Sequence, residues 1–409
     1  MSRVLVVGGS LGGLMAANLL FRAGLDVTLL EKSTASLDGR GAGIVTHLPL
    51  QNTLKLCGVP AEASLGIAIE KRVVLDLQGQ TIAQTLMPQV LTSWSRLYSL
   101  LMAAFPQERY IRGASLMSLK QHANGVKVTC EDGTSYEADV LIASDGIRST
   151  VRAALAPDIQ AEYAGYVAWR GVCDESVLSN FTLETLFETF GFGLPAGEQI
   201  IGYPVAGQGN SITKGQRRYN FVWYRPAPDN GPLQDLMTDA DGQHHPLGLP
   251  PNKVSWRHVA SARQAARELL APQFAEILEK TPQPFLQPIF DAFSTQLAFG
   301  RVGLMGDAGF VARPHVGMGV TKAAEDALAL CDALVTHGAT PEALQAYESK
   351  RLRSGQSVVE RGRRLGTYMQ ASATGQTALR DANSVMQQTA VDLSTLPAGV
   401  EHPAQPILS

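Results

Sequence analysis

The stretch Val4-Leu5-Val6-Val7-Gly8-Gly9-Ser10-Leu11-Gly12-Gly13 decides the fold. An apolar run of strand length turns through glycines into an amphipathic helix, and a second apolar run, Val27-Thr28-Leu29-Leu30, ends in Glu31. Glu31 stands eighteen residues past Gly13. Strand, tight turn, helix and strand with an acid at the tip make the unit that holds the ADP part of a dinucleotide. Gly8 permits the sharp turn, and Gly13 lets the helix close on the sheet. Ser10 replaces the usual middle glycine, but it is small and its hydroxyl can donate to a phosphate. The helix start offers N–H groups to a diphosphate, and Glu31 would accept from ribose hydroxyls. Two simpler readings are a ligand-free glycine turn and a secretory leader behind Arg3. Against the leader, glycines interrupt the apolar run and the pattern continues into a second strand.

Composition narrows the class. A chain of 409 residues can bury two sizeable cores. Net charge is −3 with 17% charged residues, so no basic surface points to nucleic acid. Cys57, Cys130, Cys173 and Cys331 lie far apart, which argues against a disulfide framework or a metal site. No apolar run is long enough to suggest a membrane span, and a cytoplasmic protein is expected.

Further along, residues 93–113 read as a helix followed by a strand. Gly125–Cys130 and Ser135–Ala138 read as a hairpin across Asp132-Gly133. Asp139–Ala143 is a continuous apolar strand suited to a parallel sheet, and it delivers Asp145-Gly146 to a loop. From about 163 the texture changes to short aromatic strands expected at Tyr166–Val172, Glu184–Gly191, Gln199–Val205 and Arg218–Tyr224. Arg301–Met305 then leads to Gly306-Asp307, and helices are expected over about 318–337 and 341–371. The expected division is a discontinuous Rossmann-type α/β domain with a parallel sheet (1–72, 97–160 and 286–370), and an antiparallel-sheet domain for substrate (73–96 and 161–285). Residues 371–409 read as a tail or arm.

The Asp145 and Asp307 loops gain meaning together. Each ends an apolar strand at the carboxyl edge of a doubly wound sheet, where ligands bind. An aspartate there can accept from ribityl hydroxyls or order a diphosphate. Gly317-Met318-Gly319 opens a helix and offers a second bare N-terminus to a carbonyl or a developing negative charge. Arg96 could pair with the diphosphate.

The set Gly8…Gly13, Glu31, Arg96, Asp145-Gly146 and Gly306-Asp307…Pro314…Gly317-Met318-Gly319 resembles the single-component FAD-dependent aromatic hydroxylases, with the para-hydroxybenzoate hydroxylase-like fold. More closely, Gly41–Val45, Tyr163–Gly171, Asp235–Asp239 and Arg313-Pro314-His315 are similar to the 2,6-dihydroxypyridine 3-hydroxylases. The resemblance implies non-covalent FAD, NAD(P)H as reductant, and dioxygen and a small aromatic ring as co-substrates. It implies hydroxylation of a hydroxylated aromatic or pyridine-like ring through a C4a-hydroperoxyflavin. The FAD-binding set carried over is Gly8, Ser10, Leu11, Gly12, Gly13, Glu31, Lys32, Arg40, Gly43, Ile44, Arg96, Leu116, Asp145, Gly146, Gly306, Asp307, Pro314, Gly317, Met318 and Gly319. Departures are Phe310, Met318 and Thr321, where many relatives have histidine, glutamine and asparagine. No partner beyond small molecules is implied, with a homodimer as the assembly expected.

Three residues are candidates for catalysis. His47 follows the Gly41–Ile44 loop, which in this family runs beside the flavin ring, and an imidazole can accept a phenolic proton near neutral pH. The alternative is a loop histidine without a catalytic part. His315 is the second candidate, and the resemblance favours Tyr203 as a substrate contact. Arg313 would either hold an anionic substrate or pair with a structural carboxylate. On the strand at 218–224, Tyr219, Phe221 and Trp223 face one side and Asn220, Val222 and Tyr224 the other, and alternation does not say which side is the pocket. His244-His245 reads as a surface loop rather than a metal site. Other classes compatible with the same chain are a flavin oxidase, reductase or halogenase, and a non-catalytic FAD-binding protein.

Overall fold

A computed structural model describes residues 2–37, 43–60, 64–246, 248–373 and 380–392. Arg3–Val7, buried from Val4 to Val7, is a central strand of a six-stranded sheet. It pairs in parallel with Asp26–Glu31 on one side and Val140–Ala143 on the other. Tyr110–Arg112 lies outside the first, and Val302–Leu304 beside the second, both parallel. Only the short edge strand Ala298–Phe299 runs antiparallel. Because the long strands share one direction, their carboxyl ends bring Gly8, Glu31, Ser144-Asp145 and Gly306-Asp307 to one edge. Helices Leu11–Arg22 and Gly319–His337 pack on each other and behind that edge. The apolar run of Asp26–Glu31 and the buried run Val140–Ala143 close this core from the two sides.

An eight-stranded sheet carries the second layer. Its order is Phe285–Asp291, Glu162–Asp174, Arg218–Pro226, Gln199–Val205, Phe190–Gly193, Ile67–Leu75, Thr81–Ser93 and Gly43–Val45. It is antiparallel except where Phe190–Gly193 meets Ile67–Leu75. Strand alternation sorts its side chains. Trp169, Ile200, Tyr219, Phe221 and Trp223 enter a core under helices Trp256–Leu269 and Pro272–Lys280. Ala168, Ile201, Tyr203, Val222 and Tyr224 face the other way. A separate three-stranded sheet joins Leu116–His122, Gly125–Cys130 and Ser135–Ala138.

Several sequence expectations shift. Glu184–Gly191 is not a strand: a helical turn over Leu183–Phe187, entered through the Ser179 cap, buries Leu186 and Phe187, and the strand begins only at Phe190. The helix expected from 93 is Trp94–Ala104, capped by the Ser93 hydroxyl. The second sheet takes in Gly43–Val45 and all of Ile67–Leu75, so a boundary at 72/73 would cut a continuous strand. A boundary at 285/286 would likewise split Phe285–Asp291. In the C-terminal portion, Ala382–Gln388 is a helix packed on the strands Ile67–Leu75 and Thr81–Ser93. Among the described residues, no helix is long and apolar enough to cross a membrane.

Candidate active site

The glycine turn is shaped by its neighbours. Gly8 has φ +102°, a conformation that favours glycine, and a side chain there would strike the Ser144 carbonyl. A methyl on Gly13 would collide with the Gly8 carbonyl, and one on Gly9 with the Tyr110 ring. Tyr110 Oη donates to the Gly9 carbonyl at 2.9 Å, a support not read from sequence. Ser10 precedes the helix without capping it, and no acid stands in the first turn, so the leading N–H groups remain available to an anion. Glu31, 7% exposed, accepts from the Gly9 N–H at 2.8 Å and from the Ser33 N–H at 2.8 Å. Its carboxylate thus braces the turn.

The second aspartate loop is built by a buried ionic relay. Asp326 Oδ2 accepts from the Gly306 N–H at 3.0 Å, and Lys322 Nζ donates to the Gly306 carbonyl at 2.7 Å. Arg351 Nε donates to Asp326 Oδ1 at 2.8 Å, and its Nη2 reaches Glu325 at 2.9 Å. Lys322 and Asp326 are buried on the helix Gly319–His337. Together they hold Gly306 at φ +58° and turn the Asp307 side chain toward open space. Arg152 fixes the other flank, donating to the carbonyls of Asp307 (3.2 Å) and Ala308 (3.0 Å). Replacing Asp307 with Ala should therefore weaken FAD retention by about ten-fold, the loss typical of a charge-assisted hydrogen bond. FAD content after gel filtration checks this, and undiminished content removes Asp307 from the cofactor site.

Asp145, expected to accept from ribityl hydroxyls or to order the diphosphate, uses one carboxylate oxygen within the protein and leaves Oδ1 without a hydrogen-bond partner. Its Oδ2 accepts from the N–H groups of Thr150 (2.8 Å) and Val151 (3.3 Å), so it anchors the helix Thr150–Leu155. Arg96 Nε donates to the Ser64 carbonyl at 2.9 Å. Leu116 is buried in the first core, and Lys32 is exposed. Arg40 lies outside the described residues. Gly146 at φ +82° and Gly319 both border open space, with nothing near a hypothetical side chain. Met318, buried, precedes the helix from Gly319, and again no acid occupies its first turn. Bare helix starts, open glycines and a cavity-facing carboxylate fit an FAD lying along this edge.

A cavity of about 280 Å³ lies between the sheets. Asp307 and Gly319 border it from the cofactor side, and Gly43, Arg170, Tyr203 and Tyr224 from the second sheet. The pocket face of the aromatic strand is therefore the Val222–Tyr224 side. Gly43 is held against it, its N–H donating to Asn220 Oδ1 at 3.0 Å. The two pocket tyrosine hydroxyls make no hydrogen bond among the described residues. Burial pushes the Tyr203 phenol up to about 12 and Tyr224 higher, with Arg170 opposing both. Both are proton donors, not bases, at neutral pH. A larger cavity of about 750 Å³ adjoins this one through Ile147, Gln287, Pro288 and Phe290, but borders none of the glycine turns of the cofactor edge.

The two histidines sit outside that lining. His47 precedes the helix Leu48–Leu56 and is 4% exposed, with Nδ1 2.9 Å from Thr321 Oγ1. It borders a separate cavity with Asp392. Its Nε2 reaches no partner at hydrogen-bond distance, although Asp392 and the Ala390 main chain favour its protonated form. His315 Nε2 meets Tyr166 Oη at 2.8 Å, and the ring lies 4.1 Å from Tyr224 between centroids. Burial, chiefly, holds both imidazoles below the ordinary value of 6.5. The unfolded chain then binds more protons than the fold below about pH 6.5, so stability rises with pH through that window and is lost on acidification. Melting temperature should fall as pH drops below 6.5, and His47→Gln should flatten the slope; a pH-independent melting temperature would contradict this.

Arg313 is not a free cation. It pairs with Asp291 at 2.7 Å, and Arg363 Nε takes the other oxygen of that carboxylate at 2.8 Å. His245 pairs with Asp239 at 2.8 Å.

Comparison with known proteins fits this geometry. A family model described as an FAD binding domain matches residues 1–190 and 251–362, and an FAD binding domain-like model matches residues 163–291. The chain belongs to this FAD-binding family and is an FAD-dependent aromatic monooxygenase. It is 31% identical to 2,6-dihydroxypyridine 3-monooxygenase of Paenarthrobacter nicotinovorans, over 90% of this chain and 91% of that protein. The solved structure of 2,6-dihydroxypyridine-3-hydroxylase from Arthrobacter nicotinovorans superposes with a TM-score of 0.86 at 30% identity, covering 94% and 95% of the two chains. A salicylate hydroxylase substrate complex, at 20% identity, 94% and 92% coverage and TM-score 0.71, shares the fold.

Proposed function

We propose that this protein hydroxylates a small hydroxylated aromatic or N-heteroaromatic ring, bound as its oxyanion, with NAD(P)H and dioxygen as co-substrates. The observation that carries the reading is Arg170. Its Nη1 donates to Gln287 Oε1 at 2.7 Å and its Nε is buried without a hydrogen-bond partner. Among the described residues it has no carboxylate partner, whereas Arg313 in the same lining is neutralised by Asp291. Arg170 therefore presents a positive charge without an ion-pair partner to the cavity that Tyr203 and Tyr224 also line. A ring oxyanion satisfies all three groups. The cation favours ionisation of a ring hydroxyl, which raises electron density on the ring carbons without a neighbouring base.

The cavity volume suits a single ring. Tyr203 and Tyr224 orient it, and the apolar Ile201, Val222 and Ile289 keep water away. FAD, when bound, passes electrons from the reductant to dioxygen. The relatives described above act, by name, on dihydroxypyridine and salicylate rings, which supports this class of substrate. Titrating 2,6-dihydroxypyridine and its O-methylated ethers into the FAD-loaded protein, with flavin absorbance as the readout, tests the reading. Saturable perturbation by the ionisable ring and not by the ethers is expected, and equal binding of both would refute the oxyanion site.

A further inference from the structure

We infer that the arm 380–392 closes one side of the reaction cavity through Ala390 and that Arg72 is the latch that seats this arm. Arg72 lies on the strand Ile67–Leu75, fully buried, and has no carboxylate partner among the described residues. A buried guanidinium without a counter-ion is costly unless its donors are met. Here Nη1 donates to the carbonyls of Met386 and Thr389, each at 2.6 Å. Nη2 donates to the Ala390 carbonyl at 2.8 Å and to Gln89 Oε1 at 2.6 Å, and Nε to the same Gln89 oxygen at 3.1 Å. The guanidinium also lies over the Phe190 ring, 4.7 Å from its centroid. These carbonyls are at the end of the helix Ala382–Gln388, where acceptors lack helical partners and a cation is favoured.

What the latch holds reaches the chemistry. Ala390 is one of two non-glycine residues with positive φ among the described residues, at +51°. Its N–H donates to the His315 carbonyl at 2.9 Å, and it borders the cavity that holds Asp307 and Arg170. Gly317 accommodates this approach, since a side chain there would come 2.6 Å from Ala390 Cα. Arg361 Nη2 donates to the Gln388 carbonyl at 2.9 Å, and Arg380 Nη1 to Gln199 Oε1 at 2.6 Å. The arm thus bridges the substrate sheet, the 314–319 loop and the long helix Pro341–Ala373. Arg72 touches neither ring nor cofactor edge, so it is a positioning residue. Its effect is exclusion of water, which protects activated oxygen until the ring is attacked.

The functional consequence rests on the ring-hydroxylase reading; the seating of the arm does not. The test compares FAD-loaded wild type with Arg72→Met and with Ala390→Pro, which removes the donor to His315 and forbids positive φ. Acrylamide quenching of flavin fluorescence is measured without any ring. Hydrogen peroxide released per NAD(P)H consumed is then measured with 2,6-dihydroxypyridine. Both variants should retain FAD, show stronger quenching, and release about ten-fold more peroxide, the scale set by losing charge-assisted hydrogen bonds. Arg72→Lys should fall between. Quenching unchanged in both variants overturns the inference. If wild type itself releases only peroxide with every ring, the ring-hydroxylase reading fails, and quenching alone decides the arm.

Discussion

Gly13→Ala is expected to yield a protein without flavin colour and with a markedly lower melting temperature. The added methyl would overlap the Gly8 carbonyl, which belongs to the turn itself and cannot move without moving the strand Arg3–Val7. Relief requires the helix Leu11–Arg22 to lift from the sheet, and overpacking of this kind costs about 1–3 kcal/mol or more. The lifted helix start no longer aims its N–H groups at a diphosphate, so binding suffers beyond stability. Bound FAD by absorbance and unfolding by calorimetry check the two effects separately. A variant that melts like wild type and retains FAD would show that the turn has slack the geometry denies.

Arg170→Met carries the second large effect, this time on turnover rather than assembly. The methionine keeps most of the apolar stem but removes the cavity's unpaired positive charge. Losing a charge-assisted bond to a ring oxyanion costs about 1.5–3 kcal/mol, or about ten- to hundred-fold in kcat/KM. FAD content should be unchanged, because Arg170 borders the cavity from the substrate sheet rather than from the cofactor side. The pH dependence should also shift: without the cation, ring ionisation moves to higher pH, and activity should recover partly as pH rises. An unchanged kcat/KM and pH profile would remove Arg170 from substrate recognition.

The parts of the site legible in the sequence are those made locally. Gly8 to Gly13 and Glu31 declare themselves because one β-α-β unit contains turn, helix and acid. The Gly306-Asp307 loop was visible as a strand end, but not what shapes it. Lys322, Asp326 and Arg351 come from two helices, and their pairing depends on packing that no spacing records. Strand alternation separated Val222 and Tyr224 from Phe221 and Trp223, yet only the helices covering the latter say which face is the pocket. His47 follows a glycine loop in the sequence, and in the fold the chain turns into a helix there and carries the ring to Thr321. The strand Thr81–Ser93 carries little sequence signal because its half-exposed residues include glutamine, threonine and proline. The C-terminal arm is opaque for a further reason: Arg72 grips main-chain carbonyls, which any sequence would provide.

One measurement bears most directly on the central claim that this is a coupled ring hydroxylase. NADH and NADPH oxidation by the FAD-loaded protein is followed with and without 2,6-dihydroxypyridine and simple phenols, together with hydrogen peroxide and hydroxylated product. The account predicts strong stimulation by an ionisable hydroxylated ring, with product formed in step with reductant and little peroxide. No stimulation by any such ring, or stimulation that ends wholly in peroxide, would contradict it.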